Sequence, residues 1–160
     1  MNWTEVINNP ALQDLPFKIE TNQWGQIVMS AATNKHSFLQ GEIIYLLRNL
    51  GAGKAIPECS IETTNGVKVA DVVWCSSDFL ERNVYETPYQ ESPEICVEIV
   101  SRSNSKREMT EKRKLYVERG AQEIWLCYEN GAVEFYDRKK RIEQSLIFQN
   151  FPKQIEVSWK

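Results

Sequence analysis

The chain has a single histidine, no Cys-x-x-Cys pair and no long apolar run, and each of these absences removes a class of protein. Cys59, Cys75, Cys96 and Cys127 are far apart and His36 stands alone, so the ligands and the spacing of a zinc cluster are both missing. Three of the four cysteines sit in or beside β-like apolar runs, where a reduced thiol behaves as a small hydrophobe. A reducing cytoplasm is the expected location. No stretch approaches the roughly 18 apolar residues that span a bilayer. Met1 to Pro10 is polar and lacks the basic start and apolar stretch of a signal peptide, so no membrane association is expected. Positive charge is not in excess either: 19 Lys and Arg face 22 Asp and Glu, a net charge of −3. Such a chain is not coated for nonspecific nucleic-acid binding, although a local basic face is still open to it. Two clusters qualify: Lys106, Arg107, Lys112, Arg113 and Lys114, and then Arg138 to Arg141. Taken alone, both read more readily as solvated surface. Repeats, low-complexity tracts and linkers rich in Gly, Pro or Ser are absent, so residues 1–160 are expected to form one domain.

What is present is a mixed pattern of strands and helices. Phe17–Thr21 and Gln26–Ser30 alternate around the Trp24-Gly25 turn signal and read as a hairpin. Asn34 is a plausible cap for a helix from about Lys35 to Leu50, with Leu39, Ile43, Leu46, Leu47 and Leu50 on one stripe. Ala55–Glu62 and Val67–Trp74 are β-like runs joined at Asn65-Gly66, a strong hairpin signal. A loop with Pro88 and Pro93 leads to the strand Glu94–Val100, and Ser105 to Arg119 reads as a helix stopped by Gly120. Glu123–Tyr128 and Ala132–Tyr136 follow as strands around Asn130-Gly131, and Ser145–Phe148 and Gln154–Trp159 are candidate edge strands. The order predicts a mixed α/β domain built on one sheet.

Three charges break this pattern. Asp71 shares a strand face with Val67, Val69 and Val73, and burying an acid there requires a partner, hydrogen bonds or a cation. An edge strand with Asp71 in water would also account for it. Glu98 lies in Ile95-Cys96-Val97-Glu98-Ile99-Val100, apolar on both faces as in a central covered strand. A partnered structural carboxylate is one reading. Two acids on neighbouring strands that hold magnesium with water is the other. Lys112 falls in the apolar helical stripe of Met109, Leu115 and Tyr116. It either snorkels to the surface or reaches over the sheet toward an acid, where it could stabilise a developing phosphate charge. Arg113 and Lys114 lie off that stripe and read as plain surface.

These residues carry a family resemblance. Pro93-Glu94-Ile95-Cys96-Val97-Glu98-Ile99-Val100-Ser101-Arg102-Ser103 is similar to the Pro-Asp-Leu-x-x-Glu-Val-Leu-Ser-Pro-Ser run of the Uma2 family, restriction-endonuclease-like members of the PD-(D/E)XK nuclease superfamily. Glu111-Lys112, Tyr116 and Gly120-Ala121-Gln122-Glu123-Ile124-Trp125-Leu126 continue the likeness. Upstream, Val69-Ala70-Asp71-Val72-Val73 resembles the family's Asp strand, and Glu20, Gly25, Met29-Ser30 and His36 its N-terminal block. The chain departs at Arg102, where the family commonly has Pro, and at Glu108, where it commonly has Asp.

The resemblance implies an α/β fold with a restriction-endonuclease-like mixed central sheet flanked by helices and the metal site at its heart. Asp71 and Glu98 would be the metal carboxylates, joined by the Ile99 carbonyl; Glu20 would be a further acid and His36 an additional site residue. The superfamily lysine usually sits two residues after the glutamate, where this chain has Val100, and Lys112 on the next helix takes its place. The implied activity is Mg²⁺-dependent hydrolysis of DNA phosphodiester bonds, with Mn²⁺ able to substitute and Lys112 stabilising the transition state. Lys106, Arg107 and Arg113 could hold the backbone. Analogy with enzymes that cut both strands adds a homodimer. Two alternatives stand beside this: an inactive nucleic-acid-binding or accessory domain that keeps the fold, and an interaction protein whose buried charges form a satisfied cluster.

Overall fold

The computed structural model describes residues 1–158. Its elements begin with α1 (Trp3–Asn8), a 3-10 turn at Pro10–Leu12, β1 (Phe17–Thr21), β2 (Ile27–Ala31) and α2 (Asn34–Leu50). The long strands β3 (Lys54–Thr63) and β4 (Gly66–Cys75) follow, then α3 (Ser77–Asn83), β5 (Ile95–Val100) and α4 (Lys106–Glu118). Strands β6 (Glu123–Tyr128), β7 (Val133–Tyr136) and β8 (Arg141–Ile142) complete the regular structure of the described residues.

Six strands form one sheet in the order β3-β4-β5-β6-β7-β8, and β1 and β2 form a separate hairpin. Only β5 and β6 run parallel; all other neighbours are antiparallel. A parallel pair requires a crossover, and α4 supplies it. Alternation along β5 divides the core. Ile95, Val97 and Ile99 pack with Leu39, Ile43 and Leu47 of α2, while Cys96 packs on the other face with Met109 and Tyr116 of α4. The four cysteines are buried on β3 to β6 and unpaired. No helix among the described residues is long and apolar enough to cross a membrane.

Local chemistry sets the element ends. Thr33, and not Asn34, caps α2 by accepting the His36 N–H at 3.1 Å, and Ser105 caps α4 by accepting the Glu108 N–H at 3.1 Å. The β3–β4 turn has Thr64 and Asn65 at its centre, one residue earlier than the Asn-Gly signal implied. Gly66 has φ +79°, and a Cβ there would come within 2.5 Å of the Thr21 carbonyl oxygen, so glycine serves both the turn and the close passage of β1.

Three short helices or turns were not apparent from periodicity: α1, the 3-10 turn and α3, each too brief for a stripe to register. The tail also differs. Ser145–Phe148 is not a strand, Gln154 makes only an isolated bridge to Ala132, residues 155–158 are not in a strand, and Trp159 lies outside the described residues. The segment is held by side chains instead. Glu123 accepts from Ser145 Oγ at 3.0 Å and from the Leu146 and Ile147 N–H groups at 3.2 and 3.3 Å. Phe148 and Phe151 then pack around Trp125, the latter with ring centroids 4.5 Å apart.

Candidate active site

The site lies where β4 and β5 separate. Their antiparallel ladder pairs Trp74 with Ile95, Val73 with Cys96 and Val72 with Val97, while β5 stays paired with β6 as far as Val100. Asp71 and Glu98 are the first residues inside the fork. The Asp71 side chain bridges it, with Oδ2 accepting the Ile99 N–H at 2.7 Å. On its other side the β3 ladder is interrupted, since Pro57 pairs with Val72 and Cys59 with Ala70 while Glu58 adopts φ +52°. Gln40 of α2 fills that gap, donating to the Asp71 carbonyl at 2.7 Å and to Glu58 Oε1 at 2.9 Å.

Asp71 is 1% exposed and lies on an interior strand, which overturns the edge-strand account. Lys112 is 7% exposed, so it does not snorkel. Its Nζ donates to Glu20 Oε2 at 3.0 Å and lies 3.4 Å from Glu98 Oε1. The same Glu98 oxygen accepts the Tyr116 hydroxyl at 2.6 Å. Glu20 reaches in from β1, anchored because its Oε2 accepts the Val69 N–H of β4 at 2.7 Å. His36 Nε2, from the first turn of α2, lies 3.2 Å from Asp71 Oδ1. The structure therefore brings Glu20, His36, Asp71, Glu98 and Lys112 together around one cavity of about 250 Å³, which Ile99 also lines.

Two site residues were missed in the sequence. Lys18 Nζ is 3.1 Å from Asp71 Oδ1 and 3.4 Å from Glu98 Oε2, with Glu20 Oε2 at 4.0 Å. Its one sequence signal is that Lys18 and Glu20 are two apart on a strand and so share a face, which by itself does not bury that face. Tyr116 was read as core, and it is core; nothing in its spacing disclosed the hydroxyl's bond to Glu98. Arg113 also departs from the plain-surface reading. Its guanidinium lies 3.9 Å over the Tyr136 ring, in a groove beyond α4 that Lys106 and Arg141 also line.

Three carboxylates thus face two ammonium groups and an imidazole, and burial decides how each titrates. Burial raises Glu98 above the ordinary carboxylate range, against the pull of Lys112 and Lys18. For Asp71 burial acts the same way but is overridden by Lys18, by the His36 contact and by the Ile99 N–H, which hold it well below that range. Burial opposes the charge on Lys18, yet Glu98, Asp71 and Glu20 raise it above the ordinary lysine value. His36 is raised above 6.5, first by its hydrogen bond to Asp71 and then by that group's charge, against burial and Lys18.

The lone imidazole makes this last shift measurable. An NMR titration is expected to place His36 above 6.5 in the wild type and to return it to 6.5 or below in Asp71→Asn. Because the folded value is raised, the His36–Asp71 contact contributes its full stability below 6.5 and loses it as pH rises through the folded value. A wild-type value at or under 6.5 would show that the contact is not made.

The oxygens of Asp71 and Glu98 converge on one cationic point, now held by the Lys18 ammonium. Hard oxygen donors of that kind suit magnesium, which takes one or two carboxylates and completes its shell with water. Among the described residues no group of three or more His, Cys, Asp or Glu side chains is arranged to hold a metal, so any ion here would rest on the two-carboxylate pattern.

Comparison with known proteins accords with this architecture. No curated protein matches the chain. A solved structure described as "a putative nuclease belonging to DUF820", from Anabaena variabilis, superimposes with a TM-score of 0.63 at 19% identity, over 76% of this chain and 73% of that one. At that identity the likeness is one of fold: a mixed sheet flanked by helices. The model of the Uma2 family, described as "Putative restriction endonuclease", matches residues 11–158, nearly the whole length. With that match the chain belongs to the Uma2 family.

Proposed function

We propose that this protein is a Mg²⁺-dependent endonuclease that hydrolyses DNA phosphodiester bonds at the β4–β5 fork. The observation that carries the reading is the convergence of Asp71 Oδ1 and Glu98 Oε2 on one cationic position, with a buried lysine, Lys112, beside them. Asp71, Glu98 and the Ile99 carbonyl would hold Mg²⁺ or Mn²⁺. Bound there, the ion supplies Lewis-acid polarisation of the phosphate and a lowered pKa for an attacking water.

The chain's own groups do the rest. The Ile99 N–H and His36 fix the Asp71 carboxylate, and the Tyr116 hydroxyl fixes Glu98, so neither has to reorganise during reaction. Lys112, held by Glu20 and Glu98, sets a positive charge beside the position where the phosphate becomes more negative. Ser30, Thr33, Ser101, Ser103 and Asn104 line the same cavity and offer donors to phosphate oxygens. Asn104 also lines the groove of Lys106, Arg113 and Arg141, which gives a nucleic-acid backbone a basic path leading away from the site. Attack on both strands by symmetry favours a homodimer.

The test is nicking of supercoiled plasmid with Mg²⁺ or Mn²⁺, with EDTA beside it. Nicking that requires the metal is the expected result. Absence of nicking, with DNA retained in the presence of EDTA, would replace the reading with a noncatalytic DNA-binding domain. One observation favours a further alternative, an ion-pair cluster with a purely structural role: Asp71, Glu20 and Glu98 each already have a lysine partner. That alternative requires that neither DNA nor metal binds.

A further inference from the structure

Lys18 is the site residue that the proposed chemistry does not use. It stands on β1, in the hairpin outside the main sheet, and its ammonium lies 3.1 Å from Asp71 Oδ1 and 3.4 Å from Glu98 Oε2. These are the oxygens through which the two carboxylates would share an ion. Magnesium binds oxygen at about 2.1 Å, so an ion on both oxygens, on the side from which Lys18 approaches them, would lie inside contact distance of its Nζ. Two cations crowded on the same buried oxygens would also repel strongly.

We propose that Lys18 is the resident counter-ion of the Asp71–Glu98 pair, and that a divalent cation enters by exchanging with its ammonium. This rests on the metal-dependent reading above and adds to it the residue that sets the affinity for the ion. Charge supports an exchange over an addition. Lys18 and Lys112 face Glu20, Asp71 and Glu98, one formal negative charge in excess before His36 is counted, so an added divalent ion would turn this into a positive excess in a buried site. Replacing the ammonium with the ion leaves the five groups neutral.

The fold also provides a place for the ammonium to go. Lys18 lines both the site cavity and a second cavity of about 320 Å³, which Phe17, Ser30, His36 and Glu58 also line. Glu58 is exposed and presents a solvated carboxylate to the displaced ammonium. Lys112 has no such freedom, because its helix packs over the sheet and it joins Glu20 to Glu98. The two lysines thus divide the work: Lys112 is fixed and Lys18 yields.

The test is binding of Mn²⁺ alone, followed by electron paramagnetic resonance of the free ion, for the wild type, Lys18→Met, Lys18→Gln and Asp71→Asn. Both Lys18 variants are expected to bind Mn²⁺ about tenfold tighter or better, because the competing charge is gone. Their melting temperatures are expected to rise more on Mn²⁺ addition than that of the wild type. Asp71→Asn is expected to bind weakly. Lys18→Gln keeps an amide donor to the carboxylates and serves if Lys18→Met does not fold. Affinity that is unchanged or reduced without Lys18 overturns the exchange while leaving the metal-dependent reading intact. If no variant binds Mn²⁺, both fail together.

Discussion

Replacing Glu98 with glutamine is expected to slow metal-dependent plasmid nicking by about 10³-fold or more, the equivalent of about 4 kcal/mol of transition-state stabilisation. The substitution preserves volume, and the amide oxygen can still accept the Tyr116 hydroxyl that now reaches Glu98 Oε1 at 2.6 Å. What it cannot preserve is the second oxygen and the charge. Glu98 uses Oε1 for Lys112 and Tyr116 and Oε2 for Lys18, so an amide nitrogen on either side meets an ammonium with a donor. The conserved shape should keep the chain folded, which circular dichroism and a thermal melt would verify before the rate is read. A Glu98→Gln protein that nicks at the wild-type rate would remove the fork from the chemistry altogether.

Lys112→Met is the larger test of stability. Methionine fills the stem's space in the apolar stripe of α4 but leaves Glu20 and Glu98 without the cation that joins them. Removing one partner of a buried pair costs about 3–5 kcal/mol, which urea denaturation at neutral pH would register as a lower midpoint at an unchanged slope. Adding Glu20→Gln is expected to recover part of the loss, since the uncompensated acid is then neutral. The pH dependence has a definite sign. Burial would raise Glu20, but Lys112, Lys18 and the Val69 N–H override it and depress the folded value below 4.5. Its contribution to stability is therefore present above 4.5 and lost as pH falls through the folded value, so the gap between wild type and Lys112→Met should narrow below pH 4.5. A deficit under about 1 kcal/mol at neutral pH, the scale of an exposed pair, would mean that the cluster is solvated in solution.

Much of the site was legible because burial and charge conflict on single elements. Asp71 and Glu98 were visible as acids in strands with no room for them, and Lys112 as a cation in an apolar stripe. All three prove buried and partnered to one another's neighbours. Glu20 and His36 rested on the family resemblance; a lone acid and a lone histidine near element ends carry no such conflict. Lys18 escaped because a lysine on a short, half-exposed hairpin strand looks like surface, and its inward aim exists only once β1 lies against β4. The tail was misread for a related reason. Leu146 to Phe148 form a short apolar run as a strand would, but Glu123 captures the backbone N–H groups of Leu146 and Ile147 that a strand would need.

The sequence by itself determined the α/β class, the order of its long elements and which charges stand within apolar patterns, because periodicity and charge are local properties of the chain. Tertiary structure alone decided the partners. The fork opens because β5 leaves β4 after Val97 while staying with β6, and that register depends on pairing between residues more than twenty apart in sequence. Into the fork come residues from β1, α2, β4, β5 and α4. No sequence spacing encodes the 3.1 Å between Lys18 and Asp71, 53 residues apart; packing sets it.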